Sequence, residues 1–402
     1  MKKQKYLIKF LGIILVSGIV FTGGFFWGKV SVPFASPTPE TQINEGAIKA
    51  NFDIFWNVWR LIKEKYRDTD SLNSQDMVYG AVGGLVDSLK DPYSEFLPPA
   101  VSKRFMEDIK GSFEGIGAEL GIKNNALIVI APLEGTPAKK AGLRSGDEIV
   151  KIDDKSTVDM TLEEAVNLIR GAKNTKVKLT ILRGDDAAQQ EISITRSVIK
   201  LPVVSLSFQE NNTIAYIQLF NFTENSADDF SKTAQEILNS SAKKIILDLR
   251  GNPGGYLESA VDIAGWFLNY GDKVVIEDKG KGQEKIYFAK GRAVFNKWPL
   301  VVLVNEGSAS ASEILAGALR DDLGIKIIGM TSFGKGSVQE MIDLSDGSSL
   351  KLTIANWLTP KGLSISKSGI KPDIEVTLSK EDIDENKDPQ LIKAIEFLKN
   401  LN

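Results

Sequence analysis

Two predominantly apolar runs, Lys244–Leu249 (KIILDL) and Leu300–Val304 (LVVLV), constrain the fold of this chain more than any other feature. Apolar runs that do not alternate with polar residues read as buried strands, and each is followed by a glycine-containing loop and then a helical pattern, over Leu257–Leu268 and Ala311–Arg320. Repetition of that unit predicts an α/β layer between Val203 and Leu378. A short terminal helix is expected over Lys387–Asn402.

The amino-terminal end follows other rules. Phe10–Trp27 is eighteen residues without a charge, preceded by Lys2, Lys3, Lys5 and Lys9. As a helix it would span about 27 Å, close to a hydrocarbon core. Lysines on its amino side place the N-terminus in the cytoplasm and everything beyond Lys29 outside it. A cleaved signal peptide is the competing reading, but Pro33-Phe34-Ala35 fits a small-x-small cleavage site poorly. The expected location is the cell membrane, single-pass, with the rest of the chain extracytoplasmic. Ser31–Glu40 carries three prolines and reads as an extended tether.

Beyond the tether the pattern is helical as far as Ile109. Phe52, Phe55, Trp56, Trp59, Ile62 and Tyr66 form one amphipathic stripe, and a second helix is expected over Ser74–Leu89, capped by Ser74 and closed by Asp91-Pro92. The stripe reads as packing surface, and with the terminal helix it could serve a homodimer.

From Gly111 to Arg196 short strands surround two compact helices. Strands are expected at Ala126–Ala131, Glu148–Ile152, Lys176–Arg183 and Glu191–Ile194; Thr136-Pro137 and the capping box Thr161–Glu164 start the helices. With Gly115-Ile116-Gly117-Ala118 at its start and AGLRSGDEI further on, the segment resembles a PDZ domain. The resemblance implies that backbone N–H groups of Ile116, Gly117 and Ala118 receive the terminal carboxylate of a peptide, which adds as a strand to the sheet edge.

Composition narrows the chemistry. The chain has 402 residues and contains neither histidine nor cysteine, which excludes a Ser-His-Asp triad, a thiol nucleophile, a disulfide, and metal sites built from imidazole or thiolate. With 49 basic against 52 acidic residues it has no bias toward nucleic acid.

Three glycine-rich loops remain. Arg250–Gly255 (RGNPGG) could gather backbone amides around an anion, or be an ordinary connection. Asn305–Glu313 (NEGSASASE) places Ser310 at a strand-to-helix turn, where it is either a helix cap or an exposed nucleophile. Gly329–Gly336 approaches a phosphate-binding loop, but Gly336 stands where Ser or Thr should follow the lysine, and strands rather than a helix come next; nucleotide binding is rejected. Lys335 is then a turn lysine or a base, since a neutral lysine amine can activate a serine where histidine is absent.

RGNPGG, NEGSASASE and FGKGSVQ, in that order after a PDZ-like segment, resemble the carboxyl-terminal processing, or tail-specific, proteases. The resemblance covers about Glu45 to Leu378. It implies Ser310 as nucleophile, Lys335 as general base, Gln339 as the group orienting the lysine, and an oxyanion hole from the N–H of Ala311 and of Gly254 or Gly255. No cofactor or metal is implied. Substrates would be proteins or peptides with exposed apolar C-termini, with Arg170 a candidate gating link between the PDZ segment and the core. A non-catalytic PDZ adaptor is the alternative. The fold class expected is multidomain α/β: residues 1–9 cytoplasmic, 10–30 transmembrane anchor, 31–44 tether, 45–110 helical, 111–198 PDZ domain, 199–380 Ser-Lys peptidase core and 381–402 a C-terminal helix.

Overall fold

The computed structural model describes residues 51–401 apart from positions 124, 134, 184, 185, 201, 380, 383, 384 and 386. The expected membrane span at 10–30 and the tether at 31–44 lie outside the described residues. Among the described residues, no helix is long and apolar enough to cross a membrane.

The chain divides at Ser74–Gln75 into two compact units. In the first, α1 (Asp53–Lys65) carries the aromatic stripe: the rings of Phe55 and Trp56 meet edge to face at 5.0 Å, and Trp56 and Trp59 at 6.2 Å. Helix α2 (Ser74–Asp87) begins at the boundary. Ser74 is its first helical residue, and its hydroxyl accepts a hydrogen bond from Lys63 Nζ.

In the second unit, the helical reading up to Ile109 needs correction. Asp91-Pro92 ends α2 as expected, but β1 (Glu95–Leu97) follows before α3 (Pro99–Ile109). It is held by pairing with a strand some 250 positions later, which no local pattern can reveal.

The PDZ-like segment comprises β2 (Ser112–Gly115), β3 (Ala118–Lys123), β4 (Ala126–Pro132), α4 (Pro137–Lys140), β5 (Glu148–Ile152), β6 (Lys155–Ser156), α5 (Leu162–Ile169), β7 (Lys176–Arg183), β8 (Asp186–Thr195) and β9 (Ser197–Lys200). Its main sheet runs β3-β4-β5-β7-β8, leaving β3 at an edge, and β2 pairs with β9 where the segment joins the core. Val129, Ile149, Val177, Leu179 and Ile181 are fully buried against Ala138 and Ala165 of the helices. Each such aliphatic side chain contributes about 1.5–3 kcal/mol of transfer free energy. The Thr161–Glu164 capping box forms as expected. Thr136 departs from expectation: its hydroxyl donates to Gly117 O (2.9 Å) and Leu133 O (2.6 Å) rather than capping α4, which fixes the glycine loop instead.

The core continues through β10 (Val204–Gln209), β11 (Ile214–Leu219), α6 (Ser226–Leu238), β12 (Lys244–Asp248), α7 (Leu257–Ala264), β13 (Lys273–Asp278), β14 (Glu284–Phe288), β15 (Leu300–Val304), α8 (Ala311–Leu323), β16 (Lys326–Gly329), β17 (Ser337–Asp343), β18 (Ser349–Leu358), β19 (Ile374–Glu375) and α9 (Pro389–Lys399). One sheet runs β10-β11-β12-β15-β16-β19, parallel from β11 onward. Ile245, Leu247, Val302 and Val304 pack in one core with α6, α7 and α8, while Ile246, Val301 and Leu303 pack in another with Ala394 and Leu398 of α9. Helices on both faces explain why these strands lack alternation. Helix α7 ends at Ala264, earlier than expected: the next residue, Gly265, lies against the backbone of Gly291 so closely that an added Cβ would sit 2.6 Å from its nitrogen. A second sheet orders β1-β18-β13-β14, with β17 also on β18.

Candidate active site

Three loops leave the core strands and converge. The first, after β12, is held by side chains at its beginning. Asp248, nearly fully buried, accepts from Tyr216 Oη (2.6 Å) and from Arg250 Nη2 (2.7 Å). Arg250 also donates to both oxygens of Asp388 at 2.8 Å, so its guanidinium is fixed between the loop and the N-cap of α9. Burial would raise the Asp388 carboxyl, but the guanidinium prevails and holds it below the usual carboxylate range. Asn252, fully buried, donates to Leu219 O (2.7 Å) and accepts from Gly254 N–H (2.9 Å), while its carbonyl takes the Ala309 N–H (3.0 Å).

That last bond joins the first loop to the second. Ser310, between β15 and α8, has φ 54° and ψ −114°, a conformation sparsely populated by residues with a side chain. A sharp, strained strand-to-helix turn of this kind displays a hydroxyl at the top of a sheet. The turn leaves no room beside it: a Cβ on Gly254 would lie 2.8 Å from Ser310 Cβ and 2.7 Å from Ala309 O. Gly254→Ala is therefore expected to displace the serine turn and lower kcat at least about tenfold, measured by steady-state kinetics on a peptide substrate.

Glu313 binds the second loop to the third. Fully buried, its carboxylate accepts from Ser310 N–H (2.8 Å), Ser332 Oγ (2.6 Å), Gly334 N–H (2.7 Å) and Lys335 N–H (3.0 Å). Burial nonetheless leaves the carboxyl above its ordinary pKa, the four donors opposing the shift. One oxygen, Oε2, thus holds the backbones of both Ser310 and Lys335. The sequence pattern that reads Glu313 as part of a capping box captures only the first of these bonds.

Lys335 is half-buried, with Nζ 5.9 Å from the centre of the Tyr93 ring. Burial pulls its amine below the ordinary lysine value, the charge of Lys351 adds to this, and Glu313 opposes it. Gln339 follows a bulge in the β17–β18 pairing, and its Nε2 donates to Ser337 Oγ (2.6 Å).

One cavity of about 960 Å³ is lined by Ser310, Ala311, Gly254, Gly255, Lys335 and Gln339 together. The Gly254 N–H is occupied by Asn252; among the described residues the N–H groups of Gly255 and Ala311 have no acceptor. Ile116, Gly117 and Ala118 lie apart, in the PDZ-like segment, where Gly117 has φ 75° and packs so tightly on Thr136 that an added Cβ would be 2.5 Å away. Arg170 also stands off the cavity, but its guanidinium lies 4.4 Å over the ring of Phe113, which lines it. Arg250, Asn252 and Glu313 were not singled out by sequence because their partners come from distant segments.

Known proteins resemble this chain in sequence and fold. Residues 213–376 match the family model of peptidase family S41, residues 128–183 that of the PDZ domain, and residues 17–99 that of the activating protease CtpB N-terminal domain. The carboxy-terminal processing protease CtpA of Bacillus subtilis is 37% identical over 381 residues, covering 94% of this chain and 78% of the relative. CtpB of the same organism is 34% identical over 377 residues, covering 92% and 78%. Among solved structures, the photosystem II D1 C-terminal processing protease superposes with a TM-score of 0.50 at 28% identity, over 82% of this chain and 94% of that one. A Bacteroides fragilis S41 protease structure shares the fold, with a TM-score of 0.54 at 16% identity over 85% of this chain and 97% of that one. With the family's PDZ domain and its peptidase core both present, this chain belongs to peptidase family S41, the carboxy-terminal processing serine proteases.

Proposed function

We propose that this peptidase works through a Ser310–Lys335 dyad on extracytoplasmic proteins, cutting near C-termini that its PDZ domain has captured. The observation that carries this reading is the meeting of one serine, one partly desolvated lysine and two uncommitted N–H groups on a single cavity. Neutral Lys335 accepts the Ser310 proton, and Ser310 Oγ attacks the scissile carbonyl. The oxyanion is received by the N–H of Ala311 and of Gly255, the glycine whose donor is free. The Lys335 ammonium then protonates the leaving amine, and water enters by the same base to release the acyl group. Gln339, with its amide nitrogen held by Ser337, offers its carbonyl oxygen to orient the ammonium.

Capture of the tail fits the edge position of β3 and the N–H groups of Ile116, Gly117 and Ala118 in a loop that Thr136 keeps in shape. Arg170 on Phe113 is the route by which an occupied PDZ domain would be felt at the cavity, the gate expected from sequence. The uncharged stretch Phe10–Trp27 behind its four lysines supports a membrane anchor with the catalytic part outside the cytoplasm. A model protein with an apolar tail, incubated with the wild type, should yield a shortened product and a released C-terminal peptide in a mass spectrum. Neither should form with Ser310→Ala. Equal products from both proteins would remove the proposed nucleophile.

A further inference from the structure

A second cavity, of about 710 Å³, adjoins the catalytic one, and the two share Glu258 and Tyr287 as lining residues. It lies between the exposed side of α7, which supplies Glu258 and Asp262, and the strand β14 with the residues that follow it. We propose that this groove is a subsite for the stretch of substrate on the amino side of the scissile bond, taken as an extended chain with an aromatic or large apolar side chain upstream of the cut; this rests on the peptidase reading above.

Direction comes from the PDZ domain. The catalytic cavity is lined by Ile109, Gly111, Ser112 and Phe113, the residues by which the chain enters that domain. A substrate whose tail is held there sends its preceding residues to another part of the cavity, and Glu258 and Tyr287 are where the lining continues into the second groove.

The groove is built for such a chain. Among the described residues strand β14 pairs only with β13 and ends its sheet, so its other edge offers backbone donors and acceptors to an added strand. Two aromatic side chains are uncovered there, Tyr270 at 81% exposure and Phe288 at 44%. Exposed rings beside an unpaired strand edge are the anchors that extended-peptide sites use, with burial of the ring supplying affinity and the edge supplying register. Glu258 and Asp262, four residues apart on α7, line the groove together with Lys290 and give polar partners for peptide groups that the strand edge leaves unpaired.

The test uses the full chain and two synthetic peptides with the same cleavage point and the same alanine-rich apolar tail, one extending two residues upstream and the other ten, with a phenylalanine in the extension. For the wild type, kcat/KM should be larger for the long peptide, and Tyr270→Ala should lower the long-to-short ratio about tenfold, mainly through KM. Phe288→Ala should act in the same direction; because Tyr270 is so exposed, its variant keeps the result readable if the strand variant folds poorly. A wild type indifferent to upstream length, or a ratio unmoved by Tyr270→Ala, overturns the subsite while leaving Ser310-dependent cleavage intact. Loss of Ser310-dependence on the short peptide overturns the peptidase reading, and the subsite with it.

Discussion

Lys335→Met is expected to lower kcat/KM by at least about 10⁴-fold, as deeply as Ser310→Ala, because nucleophile and base act as one unit. Lys335→Arg should be equally inactive, since a guanidinium does not give up its proton. The wild-type pH profile carries the sign of the mechanism. Burial first, and Lys351 second, hold the Lys335 amine below its ordinary value, and only the neutral form can accept the serine proton. Activity should therefore climb as pH rises through that depressed pKa and level off above it. A flat profile between about pH 5 and 9, with chemistry rate-limiting, would contradict a lysine base. Stability moves the other way round the same group: the unfolded chain binds this proton more tightly, so the lysine costs stability at neutral pH. That cost fades as pH rises from the depressed value to the ordinary one. Differential scanning at pH 7 should accordingly find Lys335→Met melting no lower than the wild type.

Glu313→Ala is expected to do the opposite, losing activity and stability together. It would strip the acceptor from four donors at once, two of them buried and two part-buried, all in the loops that carry Ser310 and Lys335. Leaving donors without an acceptor costs about 1–3 kcal/mol each where they are buried, so a loss of about 3–5 kcal/mol is expected, or roughly 4–7 °C in Tm for a unit of this size. Glu313→Gln should recover part of the stability but little activity, because its NH₂ group meets donors where an oxygen stood. Thermal melts and single-turnover kinetics on both variants separate the two losses. An active Glu313→Gln enzyme would show that the loops keep their positions without the charge.

How much of this was legible in the sequence depended on range. LVVLV announced β15 and NEGSASASE its turn because apolar continuity, small residues and capping signals are local. Strand β1 was missed because Phe96 faces Leu350 across a pairing that short-range pattern does not encode. The three site loops were recognised separately, but the residues that bind them into one cavity were not. Asn252 looks like a turn residue, Arg250 like a solvated charge and Glu313 like a cap until their partners arrive from β11, α9 and the residues before β17. Which of Gly254 and Gly255 keeps an uncommitted N–H likewise depends on the bond that Asn252 accepts, which the loop sequence does not reveal.

Arg250 carries a consequence for biosynthesis. Its guanidinium grips Asp388, so the support of the RGNPGG loop includes a residue made 138 positions later. A ribosome must translate as far as residue 388 before that grip can form. Hydrolytic competence is in this way tied to synthesis of the residues that open α9, and a polypeptide interrupted before residue 388 would carry a PDZ domain but an unfinished cutting edge.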